Sequence, residues 1–199
     1  MVRRMEIDPQ VREQILDAAE GRFRHYGFAK TTMAELASDC SMSAGNLYRY
    51  FESKEEIGVS IARRCMMTLD GICRDVIART DIGPLRKLEV MIRAMADENR
   101  RRFECDTKLE ELLSYMHHKR PETIKMFMDG LSHRIAEILV EGVSTGEITA
   151  EDPRETAIDI FHAGKGVVDP AIIMHMPEDE FERRIRGVTK LIIEGVRSR

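Results

Sequence analysis

The sequence predicts an all-α protein of about nine helices. Apolar residues recur at spacings of three and four along most of the 199 residues, which is the period of a helix buried on one side. Capping residues or prolines precede these stretches, and glycine follows several of them. No stretch alternates apolar and polar residues convincingly enough to predict a strand. A composition of 43% apolar and 33% charged residues is also that of a soluble helical protein.

The first helix is predicted to begin at Pro9 and to run to about Tyr26. Asp8 directly before Pro9 is an N-cap followed by proline at the first helical position, where proline removes no helical hydrogen bond. One face carries apolar residues at helical spacing, namely Val11, Ile15, Ala19 and Phe23. Gly27 can end the helix in a left-handed cap.

Two short helices are predicted next, within residues 31–51. Thr32 and Glu35 have the spacing of a capping box, which opens the first of them. After a break at residues 39–42, Ser43 can cap a second helix that ends near Phe51. The first turn of this second helix holds only small residues, Ala44, Gly45 and Asn46. Its N-terminus can therefore approach another surface closely, and its free amides suit a phosphate group.

Hydrogen-bond donors follow in the same stretch: Tyr48, Arg49, Tyr50 and then Lys54. Two short helices, a tight turn and such donors are what a DNA-reading helix-turn-helix requires. The same spacing fits an ordinary corner between two helices with exposed tyrosines. Pattern alone leaves both interpretations open.

Six further helices are predicted in the rest of the chain. Each begins at a cap or a proline, as in Ser53 with Glu56, Gly83-Pro84 and Asp152-Pro153. Their approximate bounds are residues 54–79, 84–103, 107–118, 121–144, 153–168 and 178–196.

Charge and composition exclude several classes of protein. The net charge is −4, and residues 1–54 carry eight basic and eight acidic side chains, so the sequence argues against indiscriminate coating of DNA. No apolar run approaches the roughly 18 residues of a membrane span, and no signal-peptide core is evident, which predicts a cytoplasmic protein. The four cysteines lack CxxC spacing and are expected to be reduced thiols, mostly in the core, with a redox switch as the alternative. No phosphate-binding glycine loop or catalytic motif stands out, so we expect neither an enzyme nor a cofactor.

Residues 11–57 resemble the N-terminal domain of the TetR family of transcriptional regulators. The matching residues occur in order and without gaps: Ile15 to Ala19, Phe23, Gly27-Phe28, Thr31-Thr32, Leu36-Ala37, Ser43, Gly45 to Phe51, and Lys54 to Glu56. Two positions depart from the family pattern. Ser41 replaces the glycine that is common in the inter-helix turn, so a left-handed backbone there would be strained. Ala34 replaces a frequent arginine, which puts one base contact in doubt.

The resemblance implies a helix-turn-helix DNA-binding domain at residues 1–54 and a ligand-binding and dimerisation domain at residues 55–199. The expected DNA-contacting residues are Thr32, Ser43, Ala44, Gly45, Asn46, Tyr48, Arg49, Tyr50 and Lys54. Of these, Ala44, Gly45, Asn46 and Tyr48 are expected near base edges, since an amide such as that of Asn46 can pair bidentately with adenine. Thr32, Ser43, Tyr50 and Lys54 are expected on phosphates. Core packing is an alternative role for Tyr48.

Family members form dimers through their last two long helices. The apolar stripes of these helices predict a dimer interface of Phe161, Gly164, Val168, Phe181, Ile185, Val188 and Ile192. Completion of the monomer core is the alternative role for the same stripes.

A small-molecule pocket is expected among the middle helices, because members of the family each bind their own effector there. Its predicted lining residues are Met95, Asn99, Phe103, Met116, Phe127, His133, Phe161 and His162. An ordinary core explains most of the apolar ones, and Asn99, His133 and His162 would serve only if they face inward. No two histidines have the i, i+4 spacing of a helical metal site, so no metal is expected.

The sequence thus predicts a homodimeric regulator, more specifically a repressor that binds a palindromic operator in double-stranded DNA and is released by a small-molecule effector. No membrane partner is expected. The alternative is a helical adaptor that has lost specific DNA binding. Ser41, Ala34 and the neutral N-terminal domain favour this alternative, whereas the intact run from Leu47 to Phe51 and Lys54 oppose it.

Overall fold

The computed structural model describes residues 7–103 and 108–198, and these residues form ten α-helices. The helices are α1 (Pro9–Tyr26), α2 (Met33–Asp39), α3 (Ala44–Tyr50), α4 (Lys54–Ile77), α5 (Pro84–Phe103), α6 (Leu109–Lys119), α7 (Pro121–Thr145), α8 (Pro153–Val168), α9 (Pro170–Ile173) and α10 (Glu178–Val196). The described residues contain no strand, only one isolated antiparallel bridge between Ile148 and Arg197. The all-α prediction is confirmed.

The predicted helix starts are confirmed at α1, α2, α3 and α8. The Gln10 amide donates to Asp8, and the Arg154 amide donates to Asp152, each at 2.8 Å. These bonds satisfy amides that a helix leaves free at its first turn. The predicted start of α6 at residue 107 lies outside the described residues, as do Cys105, Arg3 and Arg4.

Helix α1 ends at Gly27, whose amide donates to the Phe23 carbonyl at 2.9 Å. The φ of Gly27 is 92°, positive as predicted, but its ψ of 151° lies outside the left-handed helical region. A side chain at this position would also lie within 3.0 Å of the Glu111 carboxylate. Glycine is thus required here twice, for its dihedral angle and for the close approach of α6.

The turn between α2 and α3 passes through Ser41 at a φ of 53°. The predicted left-handed backbone is therefore present, although the residue is not glycine. The Met42 amide donates to the Ala37 carbonyl at 2.9 Å, which closes the end of α2.

The predicted capping box of α4 forms only in part. The Glu56 amide donates to the Ser53 hydroxyl at 3.1 Å, as predicted. The Glu56 carboxylate, however, accepts from the Glu52 amide at 2.6 Å rather than from the amide of Ser53. Helix α4 ends at Ile77, two residues before the predicted end at Arg79.

The chain divides into two compact units. The first comprises Met1–Cys65 and Asp106–Arg120, and the second comprises Met66–Cys105 and Pro121–Arg199. Helix α4 begins in the first unit and ends in the second, while α6 belongs to the first unit although it lies far along the chain.

The core of the first unit is built from α1, α2, α3, the start of α4 and α6. Its most buried side chains are Ile15, Leu16, Phe23, Leu36, Leu47, Phe51, Ile57, Ile61, Leu112 and Met116. Helix α6 packs against the end of α1: the Ala29 amide donates to Glu111 at 2.8 Å, and the rings of Phe28 and Tyr115 lie 5.1 Å apart. Lys108 also donates to the His25 carbonyl.

The core of the second unit joins α5, α7, α8 and α10 with the end of α4. Two side chains of α5 hold the connection between α8 and α10. Asn99 donates to the Val168 carbonyl at 2.6 Å, and Arg100 donates to the Met176 carbonyl at 2.9 Å. These contacts bury Arg100 to 9% exposure.

Candidate nucleic-acid interface

Helix α3 exposes its first turn to solvent, and its buried residue Leu47 packs into the core of the first unit. Ala44 and Gly45 are exposed, Asn46 is partly exposed, and Leu47 has no exposed surface. The Asn46 amide donates to the Ser43 hydroxyl at 3.2 Å, which fixes the start of the helix. The N-terminal end of α3, which carries small residues, is therefore accessible, while the buried Leu47 holds the helix in place.

Three larger polar side chains surround this helix end. Tyr48 is 52% exposed, so it does not serve as a core residue of the described chain. Arg49 is exposed and donates to the Asn46 amide oxygen at 3.2 Å, and Tyr50 is partly exposed. Asn46 and Arg49 therefore present their polar groups together on one side of α3.

The far end of α3 is fixed by a cation on an aromatic ring. The Arg12 guanidinium lies 4.5 Å from the centre of the buried Phe51 ring, and it also donates to Ser60 at 2.9 Å. This side chain joins α1, the end of α3 and α4. Sequence reasoning missed Arg12, because a lone arginine near a helix start carries no local signal for a distant ring.

Helix α2 is held against α1 by charged groups. Arg22 donates to both carboxylate oxygens of Asp39, and its guanidinium lies 3.2 Å from Glu35. The hydrogen bond from Arg22 lowers the pKa of Asp39. Hydrogen bonds from the side chain and then the backbone of Thr32 lower the pKa of Glu35. Both carboxylates are therefore ionised well below neutral pH.

Besides Ser43, two of the predicted phosphate-binding residues make contacts within the protein. Thr32 is exposed, and its hydroxyl donates to the Glu35 carboxylate at 2.7 Å. The Lys54 ammonium donates to the carbonyls of Phe28 and Ala29, at 2.8 and 3.2 Å. Lys54 thereby ties the start of α4 to the segment after α1, a structural role that the sequence did not predict.

The predicted effector-pocket residues do not form one cluster. Met95, Asn99 and Phe161 are buried in the second unit, where Phe127 packs partly buried against the core, whereas Met116 is buried in the first unit. The side chain of Phe103 lies outside those described.

The two histidines that were predicted to line the effector pocket, His133 and His162, do not face inward. The side chain of His133 is 70% exposed beside Glu137, and His162 is exposed with its ring nitrogen 2.8 Å from the Ile158 carbonyl. Among the described residues, no group of three or more His, Cys, Asp or Glu could hold a metal ion.

The predicted dimer residues lie mostly inside their own chain. Six of them are buried, namely Phe161, Gly164, Val168, Phe181, Ile185 and Ile192, while Val188 is partly exposed. The exposed apolar side chains of the same two helices are Ile158 at 40% and Leu191 at 76%. The sequence could not separate the two faces, because both carry apolar residues at helical spacing.

Comparisons with known protein families match both parts of the chain. Residues 15–59 match the model of bacterial regulatory proteins of the tetR family, and residues 84–189 match the tetracyclin repressor-like C-terminal domain.

Individual proteins resemble the chain along most of its length. The transcriptional regulator TtgR of Pseudomonas putida is 26% identical over 165 residues, which covers 76% of this chain and 77% of TtgR. The regulator RutR of Escherichia coli is 27% identical over 201 residues and covers 94% and 91% of the two chains.

Solved structures have the same fold. A transcriptional regulator from Cytophaga hutchinsonii superposes with a TM-score of 0.74 at 22% identity, covering 96% of this chain and all of that one. SmeT, solved as a complex with triclosan, superposes with a TM-score of 0.71 at 20% identity, covering 95% and 92% of the two chains.

A helix-turn-helix joined to a larger helical unit defines a class of DNA-binding regulators. The family matches then identify the family: the chain belongs to the TetR family of bacterial transcriptional regulators. Within the described residues, no helix is both long and apolar enough to cross a membrane.

Proposed function

We propose that this protein is a cytoplasmic, non-enzymatic repressor that binds a palindromic operator as a homodimer and leaves it when a small-molecule effector binds. The observation that carries the proposal is the exposed first turn of α3. Ala44 and Gly45 allow it to approach DNA closely, and Asn46 can pair with a base edge. The buried Leu47 and Phe51 hold this turn in place.

The proposed division of contacts follows from position on α3 and its neighbours. Asn46 and Tyr48, with the small residues Ala44 and Gly45, would lie against base edges in the major groove, and Arg49 would reach either a base or a phosphate. Thr32, Ser43, Tyr50 and Lys54 would lie near phosphates. Of these four, Lys54 already donates to two backbone carbonyls, so its contribution to DNA affinity adds to a role in folding.

The dimer that we propose uses the outward faces of α8 and α10. Ile158 and Leu191 expose apolar surface there, and Gly187 and Gly195 flank Leu191 on the exposed side of α10. Small residues next to a large one allow a second helix to pack closely. A two-fold dimer places two recognition helices on one face of DNA when they are about 34–36 Å apart.

Effector binding would act through α4, which begins in the first unit and ends in the second. A ligand that moves operator occupancy from nearly full to nearly empty must favour the non-binding state by about 5.5 kcal/mol. We propose that the effector enters the core of the second unit near Met95, Asn99 and Phe161, each of which is buried in that unit.

Selection of bound duplexes from a random DNA pool tests this function. The full chain is incubated with the pool at about 150 mM salt, which suppresses non-specific binding. We expect enrichment of a palindrome whose half-sites lie about one helical turn apart. If a folded, dimeric protein enriches no sequence, the operator-binding proposal is wrong and a helical adaptor becomes the better explanation.

A further inference from the structure

A groove of about 530 Å³ runs between α5 and α10 in the second unit. Its apolar lining comes from Val90 and Ala94 of α5 and from Ile185 and Ile193 of α10. Pockets that bind small molecules typically measure about 300–1,000 Å³ and combine apolar walls with a few placed polar groups. The size and lining of the groove therefore suit an organic molecule.

The groove carries an excess of positive charge, although the whole chain has a net charge of −4. Five cationic side chains and three acidic ones line it. Each acidic side chain pairs with a cation of the groove, and the nitrogen–oxygen distances are 2.6 Å for Arg86–Glu89, 2.8 Å for Arg93–Asp97 and 3.5 Å for Arg197–Glu194. Arg93 also pairs with Glu182, at 2.7 Å.

Two cations of the groove are left over. Arg186 and Lys190 lie one turn apart on α10, both are exposed, and neither forms an ion pair with any residue that the structure describes. Glu182 lies one turn before Arg186, and the pKa of its carboxylate is lowered by the hydrogen bond from Arg93 and also by the charge of Arg186. Arg186 is therefore partly balanced, whereas Lys190 is not. The two adjacent cations still repel each other, and an anion between them would reduce this repulsion. The two side chains thus mark the end of the groove at which a negative group would bind.

Thr189, between these two cations in sequence, adds a hydrogen-bonding group to the same end of the groove. It is only 8% exposed, yet it lines the groove, and its hydroxyl has no hydrogen-bond partner among the described residues. The hydroxyl is not among the fully buried polar atoms of the described residues, so a molecule in the groove can reach it. A ligand oxygen in the groove could accept a hydrogen bond from it.

We propose that this groove is a binding site for an organic anion with an apolar body, in particular an aliphatic carboxylate. The hydrocarbon chain would lie on Val90, Ile185 and Ile193, and the carboxylate would accept hydrogen bonds from Thr189 and lie near Arg186 and Lys190. Binding of the anion is measured on the protein without DNA, so the result does not depend on the proposed operator binding.

Calorimetric titration of the full chain with octanoate tests the proposal. We expect saturable binding of octanoate, and much weaker binding of 1-octanol, which lacks the charge, and of acetate, which lacks the apolar body. The double variant R186Q/K190Q should bind octanoate at least tenfold more weakly. The matched control is R183Q/R184Q, which removes the same charge from exposed positions of α10 outside the groove.

Thr189→Val tests the hydroxyl separately, because valine keeps the shape of the side chain. Octanoate should bind this variant about tenfold more weakly, while circular dichroism shows an unchanged fold. The proposal is overturned if the unmodified protein shows no saturable octanoate binding, if 1-octanol binds as tightly, or if R183Q/R184Q loses as much affinity as R186Q/K190Q. Unchanged octanoate affinity of Thr189→Val would contradict the contact assigned to Thr189.

Discussion

Ser41 carries the backbone strain of the helix-turn-helix. Its φ of 53° lies in the left-handed region, which L-residues avoid because their Cβ approaches the following carbonyl. The turn is nevertheless closed by the hydrogen bond from Met42 to Ala37. The surrounding contacts of α2 and α3 therefore hold a conformation that serine does not favour.

Ser41→Gly is expected to raise the free energy of unfolding by roughly 0.5–1 kcal/mol. Relief of about 1–2 kcal/mol of strain outweighs the loss of about 0.5–1 kcal/mol that comes from the more flexible unfolded chain. Urea unfolding of both proteins measures the difference. The control is Ser38→Gly, an exposed helical position of α2, where the same change should destabilise.

Asp39→Asn should lower the melting temperature at pH 7 more than at about pH 2.5. The Asp39 pKa is lowered by Arg22, so its stabilising contribution is complete above its ordinary pKa of about 4 and is lost as pH falls through the folded value. The effect should stay below about 1 kcal/mol, since the pair is partly exposed. An equal difference in melting temperature at both pH values would contradict this role.

Asn46→Ala should weaken binding to the selected operator by roughly 1–3 kcal/mol. The amide can contact a base edge, and random DNA offers it no matched base. Affinity for a random duplex at the same salt concentration should therefore change little, as measured by fluorescence anisotropy. Equal losses on both DNAs would show that Asn46 does not read sequence.

Helix ends show how far the sequence alone predicts this fold. Asp8-Pro9 and Asp152-Pro153 predicted the starts of α1 and α8 correctly, because a cap acts within one turn. Asp169-Pro170 carries the same signal and begins α9, a four-residue helix that lies in the interval for which no helix was predicted, between residues 168 and 178.

Contacts distant in sequence were not predictable in this way. The packing of α6 against the end of α1 depends on Glu111, Tyr115 and Lys108, none of which carries a local signal. The same holds for the hydrogen bonds of Lys54 to Phe28 and Ala29. In the candidate site, the helix-turn-helix residues were predictable because they are contiguous, whereas the buried and exposed faces of α8 and α10 were not.

Gly27→Ala should destabilise the first unit by about 1–2 kcal/mol, since the positive φ penalises a side chain. The added methyl would also press against Glu111 of α6. Gly21→Ala is the matched control within α1: nothing lies within 4 Å of its added methyl, so it should stabilise by about 0.5–1 kcal/mol. Opposite shifts of the urea midpoint are expected, and shifts of the same sign would contradict the role of Gly27.

At the scale of the whole molecule, the proposed dimer depends on apolar surface that one chain leaves exposed. Leu191 of α10 and Met126 of α7 are almost equally exposed, at 76% and 74%, so exposure alone does not distinguish them. Of these two residues, only Leu191 lies on the proposed dimer interface. This pair of residues therefore offers a balanced comparison.

Leu191→Glu should convert the dimer to a monomer, because it would place two negative charges in an apolar contact related by symmetry. Met126→Glu should leave the dimer intact. Sedimentation equilibrium measures both, and operator affinity should fall only for Leu191→Glu. If both variants remain dimeric, the interface lies elsewhere on the molecule.

The position of α6 in the first unit also affects how the chain folds during its synthesis. Phe28 packs on Tyr115, so the surface after α1 stays uncovered until residues up to Arg120 have been synthesised. At about 5–20 residues per second, that is a delay of several seconds after Cys65 leaves the synthesis site. A nascent chain released in this interval would contain all of α3, but the core of its first unit would lack α6. The order of synthesis thus makes a finished DNA-reading unit depend on chain that follows α5, and a fragment ending at Cys65 should aggregate or be degraded rather than occupy DNA.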